Sequence, residues 1–248
     1  MNSDFKPIKR SFTKDLREQI IECCLVPRIR KKNPNVIMNK ISLNVWKTDP
    51  SGILLNIIIQ SIGRAKDIIC VSSFLINNES LIDAMLNASK RGVRVYILTS
   101  ELNIEEDLED DDEISQKARE EHLKLLDKVA GRLLIRTAKH FHSKFIVIDP
   151  KNRNNSIGFL LTANLKEKTL LGTNELGIII RGERVYELYE LFCYAFWAES
   201  EHELLEPGRF RDVLQKKDVD LPQLTAISYT TNKIANLKEH LFSILNSS

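Results

Sequence analysis

Cysteine, glycine and proline are scarce in this chain: four Cys, nine Gly and seven Pro in 248 residues. Cys23, Cys24, Cys70 and Cys193 show no CxxC spacing and two are adjacent, which suggests neither a zinc site nor a disulfide framework. A reducing cytoplasm is the simplest setting for such thiols. Scarce Gly and Pro, with 43% hydrophobic and 28% charged residues, exclude collagen-like and wholly disordered classes. Long apolar runs are also missing. Stretches such as Ile68 to Val71 and Phe145 to Ile148 fall far short of the roughly 18 to 20 residues a membrane-spanning helix needs. The opening MNSDFKPIKRSF is basic but runs into the charged KDLREQ, so it does not read as a secretory signal. What remains is a chain long enough to bury a sizeable core in one large domain with short appendages.

Net charge is only +2, but it is unevenly distributed. The first 47 residues carry eleven Lys or Arg against Asp4, Asp15, Glu18 and Glu22. Such an arm either tracks phosphates or presents a solvated helix face. In Glu105 to Glu113 every residue but Leu108 is acidic, and desolvation forbids packing that run into a core, so a solvated loop is expected. It lacks the glycine turn and spacing of a calcium loop.

Hydrophobic periodicity places the elements. A helix is expected over Thr13 to Leu25, ended by Pro27. From Ile41 the pattern alternates: a strand at ISLNVW, a helix over Ile53 to Ile62, a strand within Asp67 to Ile76, a helix over Glu79 to Lys90 closed by Arg91-Gly92, and a strand at VRVYILT. This β-α-β-α-β order implies parallel strands covered by helices. Beyond the acidic run come a helix over Ile114 to Val129 and strands at Leu133 to Thr137, Ser143 to Asp149, Ile157 to Ala163 and Leu176 to Arg181. A strongly apolar helix over Val185 to Ala198 follows, then a last helix over Asn232 to Leu245. The fold class is therefore α/β, a large mixed β-sheet flanked by helices on both faces, with N- and C-terminal helical extensions. The expected boundaries are 1–40 for a basic helical leader, 41–205 for the main domain and 206–248 for the C-terminal helical extension.

The chemistry concentrates in His142-x-Lys144-x4-Asp149. Strand periodicity puts His142 and Lys144 on one face and turns Asp149 to the other. A nucleophile then stands beside a cation. Thr162 and Asn164 end the next strand on a common face, and Asn174-Glu175 precedes the apolar LGIII. His140 shares the parity of His142 and reads as a neighbour of the site, while Phe141, Phe145 and Val147 read as core.

At these residues the chain resembles the phospholipase D superfamily, whose signature is His-x-Lys-x4-Asp, then Gly-Ser-x-Asn, then Glu. His142, Lys144 and Asp149 match in spacing, and Asn164 and Glu175 fall where the later elements belong. Two departures stand out: Leu161-Thr162 replaces Gly-Ser, and Lys151 to Ser156 lengthens the gap. Thr keeps the hydroxyl that a phosphate contact needs. The resemblance spans about residues 41 to 200 and implies a site of His142, Lys144, Asn164 and Glu175, with Thr162, Lys144 and Asn164 on the substrate and Asp149 in a supporting or structural role. It implies no cofactor and no metal. One motif supplies one histidine, so the resemblance implies a homodimer in which the two His142 side chains meet, one as nucleophile and one as acid. Glu175 is expected to orient a histidine through its ring N–H.

A phosphodiesterase acting on DNA or RNA, that is, a phospholipase D-like nuclease, is the reading this implies. The single motif, the basic leader and the lack of a membrane anchor favour nucleic acid. A phospholipase or phosphatidyl transferase, which should carry an exposed apolar rim, is the alternative enzyme. A catalytically silent nucleic-acid-binding subunit is the third. An ATPase or helicase partner in a defence or DNA-processing complex is a further expectation, from family associations.

Overall fold

The structure is a computed structural model that describes residues 44–100, 113–139, 142–152, 154–215 and 222. The helices expected over 13–25 and 232–245, most of the acidic run, His140 and Phe141 lie outside the described residues.

Among the described residues, nine strands form one sheet in the order β1-β9-β7-β6-β2-β4-β5-β10-β11. These are β1 (Asn44–Lys47), β2 (Ile68–Ser72), β4 (Arg94–Ser100), β5 (Leu134–Ala138), β6 (Phe145–Ile148), β7 (Ile157–Leu161), β9 (Leu176–Ile180), β10 (His202–Glu206) and β11 (Arg209–Asp212). Parallel pairing of β2, β4 and β5 and antiparallel pairing elsewhere make the sheet mixed, as expected. A separate parallel pair joins β3 (Ile76–Asn77) to β8 (Leu165–Lys166).

Helices cover both faces. Helices α1 (Ile53–Arg64), α2 (Glu79–Lys90), α3 (Glu113–Val129) and α4 (Glu167–Gly172) pack on one side, where Leu54, Ile58, Ile82, Met85 and Leu126 meet Ile69, Ile97, Ile135, Ile146 and Phe159. Helix α5 (Glu183–Ala198) covers the other, placing Leu188, Leu191, Phe192 and Phe196 on Ile68, Cys70, Phe145, Val147 and Ile180. Alternate residues of the central strands therefore serve opposite cores, which is why β2 and β6 read as unbroken apolar runs, buried throughout. Local signals agree with the elements: the Asn78 side chain caps α2 by accepting the Leu81 N–H at 2.9 Å, and the helix closes into Gly92 at φ +90°.

Two expectations change. The apolar run at 67–76 is not one strand: it leaves the sheet after Ser72, turns through Ser73 to Leu75 and resumes as β3. The sheet also runs past residue 205, because the β10–β11 hairpin adds to β5 and carries strand structure to Asp212 where the C-terminal helical extension was expected to begin. Alternation there is masked by charge, and pairing rather than burial defines β11, whose residues are all exposed.

Candidate active site

Register brings the separate motifs to one edge of the sheet. Ser72 at the end of β2 pairs with Phe145 at the start of β6, Phe145 pairs with Leu160 near the end of β7, and Leu161 pairs with Gly177 at the start of β9. Leu176 pairs in turn with Lys47 at the end of β1. The residues just beyond these strand ends, His142, Lys144, Thr162, Glu175 and Thr48, therefore share that edge, although up to 127 residues separate them in sequence. Ligands of open α/β sheets bind beyond the carboxyl ends of parallel strands, and β2 and β4 both end here.

Within the site, the Lys144 ammonium lies 3.0 Å from Nδ1 and 3.4 Å from Nε2 of His142, and donates to the His142 carbonyl at 3.0 Å. His142 is exposed and Lys144 half-buried. Partial burial, helped by the neighbouring Lys144 charge, holds the His142 imidazole below its usual pKa and so neutral near pH 7. Burial likewise lowers Lys144, with Glu175 acting in the opposite direction. The Lys144 ammonium is thus the group that links imidazole and carboxylate.

Thr162 donates its hydroxyl to the Glu175 carboxylate and accepts the Leu176 N–H at 2.9 Å. These two residues meet directly, as do His142 and Lys144. Among the described residues no hydrogen bond joins Glu175 to His142 of the same chain, so the carboxylate expected to orient a histidine is held by Thr162 instead. Asn164 is fixed through its backbone, its carbonyl accepting from Lys166 N–H at 2.8 Å and the Thr169 hydroxyl at 2.6 Å. Its side-chain oxygen is buried and has no hydrogen-bond partner among the described residues. An unsatisfied buried oxygen is a group without its donor.

Asp149 stands apart. It lies at the other end of β6, buried, where its carboxylate accepts the backbone N–H groups of Lys66, Asp67 and Ile68 at 2.8, 2.8 and 3.0 Å. The signature's aspartate therefore ties the α1–β2 turn to β6 and touches none of the other signature residues, because four intervening strand residues span the sheet.

Leu161, which replaces the signature glycine, is a strand residue partly buried against the core. It fits because its partner across β9 is Gly177. A Cβ there would stand 3.1 Å from Leu161 Cδ2 and 2.6 Å from Leu54 Cδ2. The missing side chain has moved to the opposite strand.

Sequence reasoning missed four residues that hold this edge together. The Ser72 hydroxyl donates to the Ser143 carbonyl at 2.8 Å, and the Ser73 hydroxyl accepts Leu165 N–H at 3.0 Å, fixing the segments that carry Lys144 and Asn164. The Phe74 ring lies 4.9 Å from the His142 imidazole, tilted by 55°. Thr48, buried, donates to the Thr173 carbonyl at 2.5 Å and accepts Glu175 N–H at 2.9 Å. The available signal was Ser72-Ser73, polar residues that end an otherwise wholly apolar strand.

The family model for the cardiolipin synthase, phospholipase D-like domain matches residues 58–197. The chain belongs to the phospholipase D superfamily. Among solved structures, the phospholipase D family member Nuc from Salmonella typhimurium superposes with a TM-score of 0.50 at 17% identity, covering 69% of this chain and 98% of that one. NucT from Helicobacter pylori matches with a TM-score of 0.45 at 15% identity over 62% of this chain and 94% of that one. Phosphatidylserine synthase from Haemophilus influenzae matches with a TM-score of 0.49 at 17% identity over 68% of this chain and 41% of that one. No curated protein matches the chain. The superposition on Nuc is a likeness of fold, and this phospholipase D-like chain shares with it the large mixed sheet. No helix of the described residues is long and apolar enough to cross a membrane.

Proposed function

We propose that this phospholipase D-like protein is a metal-independent nuclease that cleaves the phosphodiester backbone of DNA or RNA through a phosphohistidine at His142. The observation that carries the reading is the neutral, exposed imidazole of His142 with the Lys144 ammonium 3.0 Å away at a sheet edge open to solvent. A phosphodiester is protected by its own charge, so attack requires donors on the nonbridging oxygens, a neutral nucleophile and an acid for the leaving alkoxide. Lys144 supplies the cation and Asn164 and Thr162 supply polar contacts. A bound phosphate offers the ammonium a better partner than the imidazole, freeing the ring to attack.

The acid comes from a second copy of the chain. One His142 attacks phosphorus and forms the P–N bond as the P–O bond to the leaving group breaks; the second, protonated, His142 gives its proton to the departing oxygen. That second ring, now neutral, takes a proton from water, whose oxygen attacks phosphorus and breaks the P–N bond, leaving a phosphomonoester. A two-fold dimer with both imidazoles at the axis meets this need.

Nucleic acid is supported by the basic leader and by the cations Lys47 and Lys168, exposed on the elements that flank Glu175 and Asn164. A second reading, phosphatidyl transfer, is favoured by Leu176 and Val45, 48% and 49% exposed beside the same edge. Cleavage of end-labelled single-stranded DNA, duplex DNA and RNA in excess EDTA at low salt, beside His142→Ala, tests the proposal. Cleavage by the wild type alone is expected; loss of choline or serine headgroups from vesicles with no polymer cut would overturn it in favour of the lipid. Light scattering at micromolar concentration should find a dimer, and a monomer that cleaves would remove the two-histidine mechanism.

A further inference from the structure

Away from the site, one buried ionisable side chain is bonded at both of its nitrogens. His122 of α3 is fully buried. Its Nδ1 lies 2.9 Å from the backbone nitrogen and 2.7 Å from the carbonyl oxygen of Ile76, and its Nε2 lies 3.3 Å from the Thr99 hydroxyl. Thr99 donates that hydroxyl to the Phe74 carbonyl at 3.0 Å, and Ser100 donates to the same carbonyl at 2.7 Å. Phe74 lies within the turn between β2 and β3 and Ile76 begins β3, so the imidazole holds the end of the turn directly and its middle through Thr99.

Burial keeps this ring neutral, its pKa pushed down to about 4. A neutral imidazole has one N–H. The Ile76 carbonyl, 2.7 Å from Nδ1, accepts that N–H, and the Thr99 hydroxyl, 3.3 Å from Nε2 and 3.0 Å from the Phe74 carbonyl, is shared between these two acceptors. The Thr99 hydroxyl thus stands between the imidazole of α3 and the Phe74 carbonyl. That carbonyl belongs to the residue whose ring packs 4.9 Å from His142. The His142 ring needs such a support. Torsion about its Cβ–Cγ bond is broad and intrinsically weak, and the Lys144 ammonium, near both ring nitrogens, does not select a plane.

We propose that His122 is a positioning residue for His142, acting through Thr99 and the 74–76 turn to hold the Phe74 ring against which the nucleophilic imidazole packs. The proposal rests on the reading of His142 as nucleophile, and it adds a buried histidine, remote from substrate, to the machinery.

Thr99→Val removes the middle hydroxyl without changing shape, Thr99→Ser keeps it, and His122→Asn keeps a polar group near Nδ1 but cannot reach Thr99. Ring-labelled histidine spectra, with His142 assigned by its absence in His142→Ala, report the Phe74 ring current at His142 without any turnover. In Thr99→Val and His122→Asn the His142 ring shifts should move toward those of free histidine, and kcat on the cleaved polymer should fall roughly tenfold or more with KM within about twofold. Thr99→Ser should restore both, and the double variant should lose no more than either single one. Unchanged His142 shifts in folded Thr99→Val, or losses that multiply in the double variant, would overturn the proposal. A wild type that cleaves no phosphodiester overturns the nuclease reading instead, and the ring shifts then decide the positioning by themselves.

Discussion

The carboxylate of Asp149 accepts the N–H of Ile68 at 3.0 Å, and the N–H of Asp149 donates to the Ile68 carbonyl at 2.9 Å. This reciprocal pair, strengthened by the amides of Lys66 and Asp67, locks the start of β2 to the end of β6 on the edge opposite His142. Asp149 also sits at φ +49°, a left-handed conformation that Asp tolerates better than most residues. Asp149→Asn must aim an amide NH2 at backbone donors and should cost about 1–3 kcal/mol. Urea unfolding should show the loss, with the kcat of the folded variant changed far less than in His142→Ala; a collapse of kcat at unchanged stability would place Asp149 in the chemistry.

Lys144 depresses the His142 pKa by its charge, as a secondary cause after burial. Because protonated imidazole cannot attack, the acid limb of kcat/KM should lie below the ordinary histidine value of about 6.5. Lys144→Met keeps the stem and removes the charge, so His142 should titrate at higher pH in an NMR titration. Its turnover and its phosphate affinity should both fall. An unmoved midpoint would show that the ammonium seen beside the ring does not sit there in solution.

His122 prefers its neutral form in the folded state, so the unfolded chain binds more protons below pH 6.5. Its contribution to stability is complete above that value and declines as pH falls toward about 4. Between pH 7 and 5, above the carboxylate range, the wild type should lose about 2 kcal/mol by this route. His122→Asn should flatten that part of the curve. An equally steep decline in the variant would assign the acid sensitivity to other groups.

Gly177 makes room for Leu161 and Leu54 at once. Gly177→Ala should destabilise the fold by roughly 1–3 kcal/mol through overpacking. Pairing it with Leu161→Ala should return part of that loss, since one of the two clashes disappears. Equal unfolding midpoints for the single and double variants would show that Leu54 alone sets the limit.

Much of this protein was legible before any coordinates. The β-α-β alternation up to Thr99 and the helical cover follow from periodicity, because a buried strand or an amphipathic helix imposes its repeat on the chain locally, whereas His142 and Lys144 sit just before β6, outside the strand, and meet through their two-residue spacing. Periodicity was silent where pairing, not burial, makes the strand, as in β11, and where the chain leaves a sheet while staying apolar, as at Ser73 to Leu75.

What the residues determined by themselves is the inventory: a histidine beside a lysine, a hydroxyl and an amide two residues apart, and a carboxylate after them, each at the end of its own strand. Tertiary structure alone decided which of them meet. Register carried both Thr162 and Thr48 to Glu175, and sent Asp149 to the far edge. It set a phenylalanine against His142 and a buried histidine behind that phenylalanine. These contacts join residues distant in the chain, and the energy that selects them comes from packing two cores on one sheet, which no short segment contains.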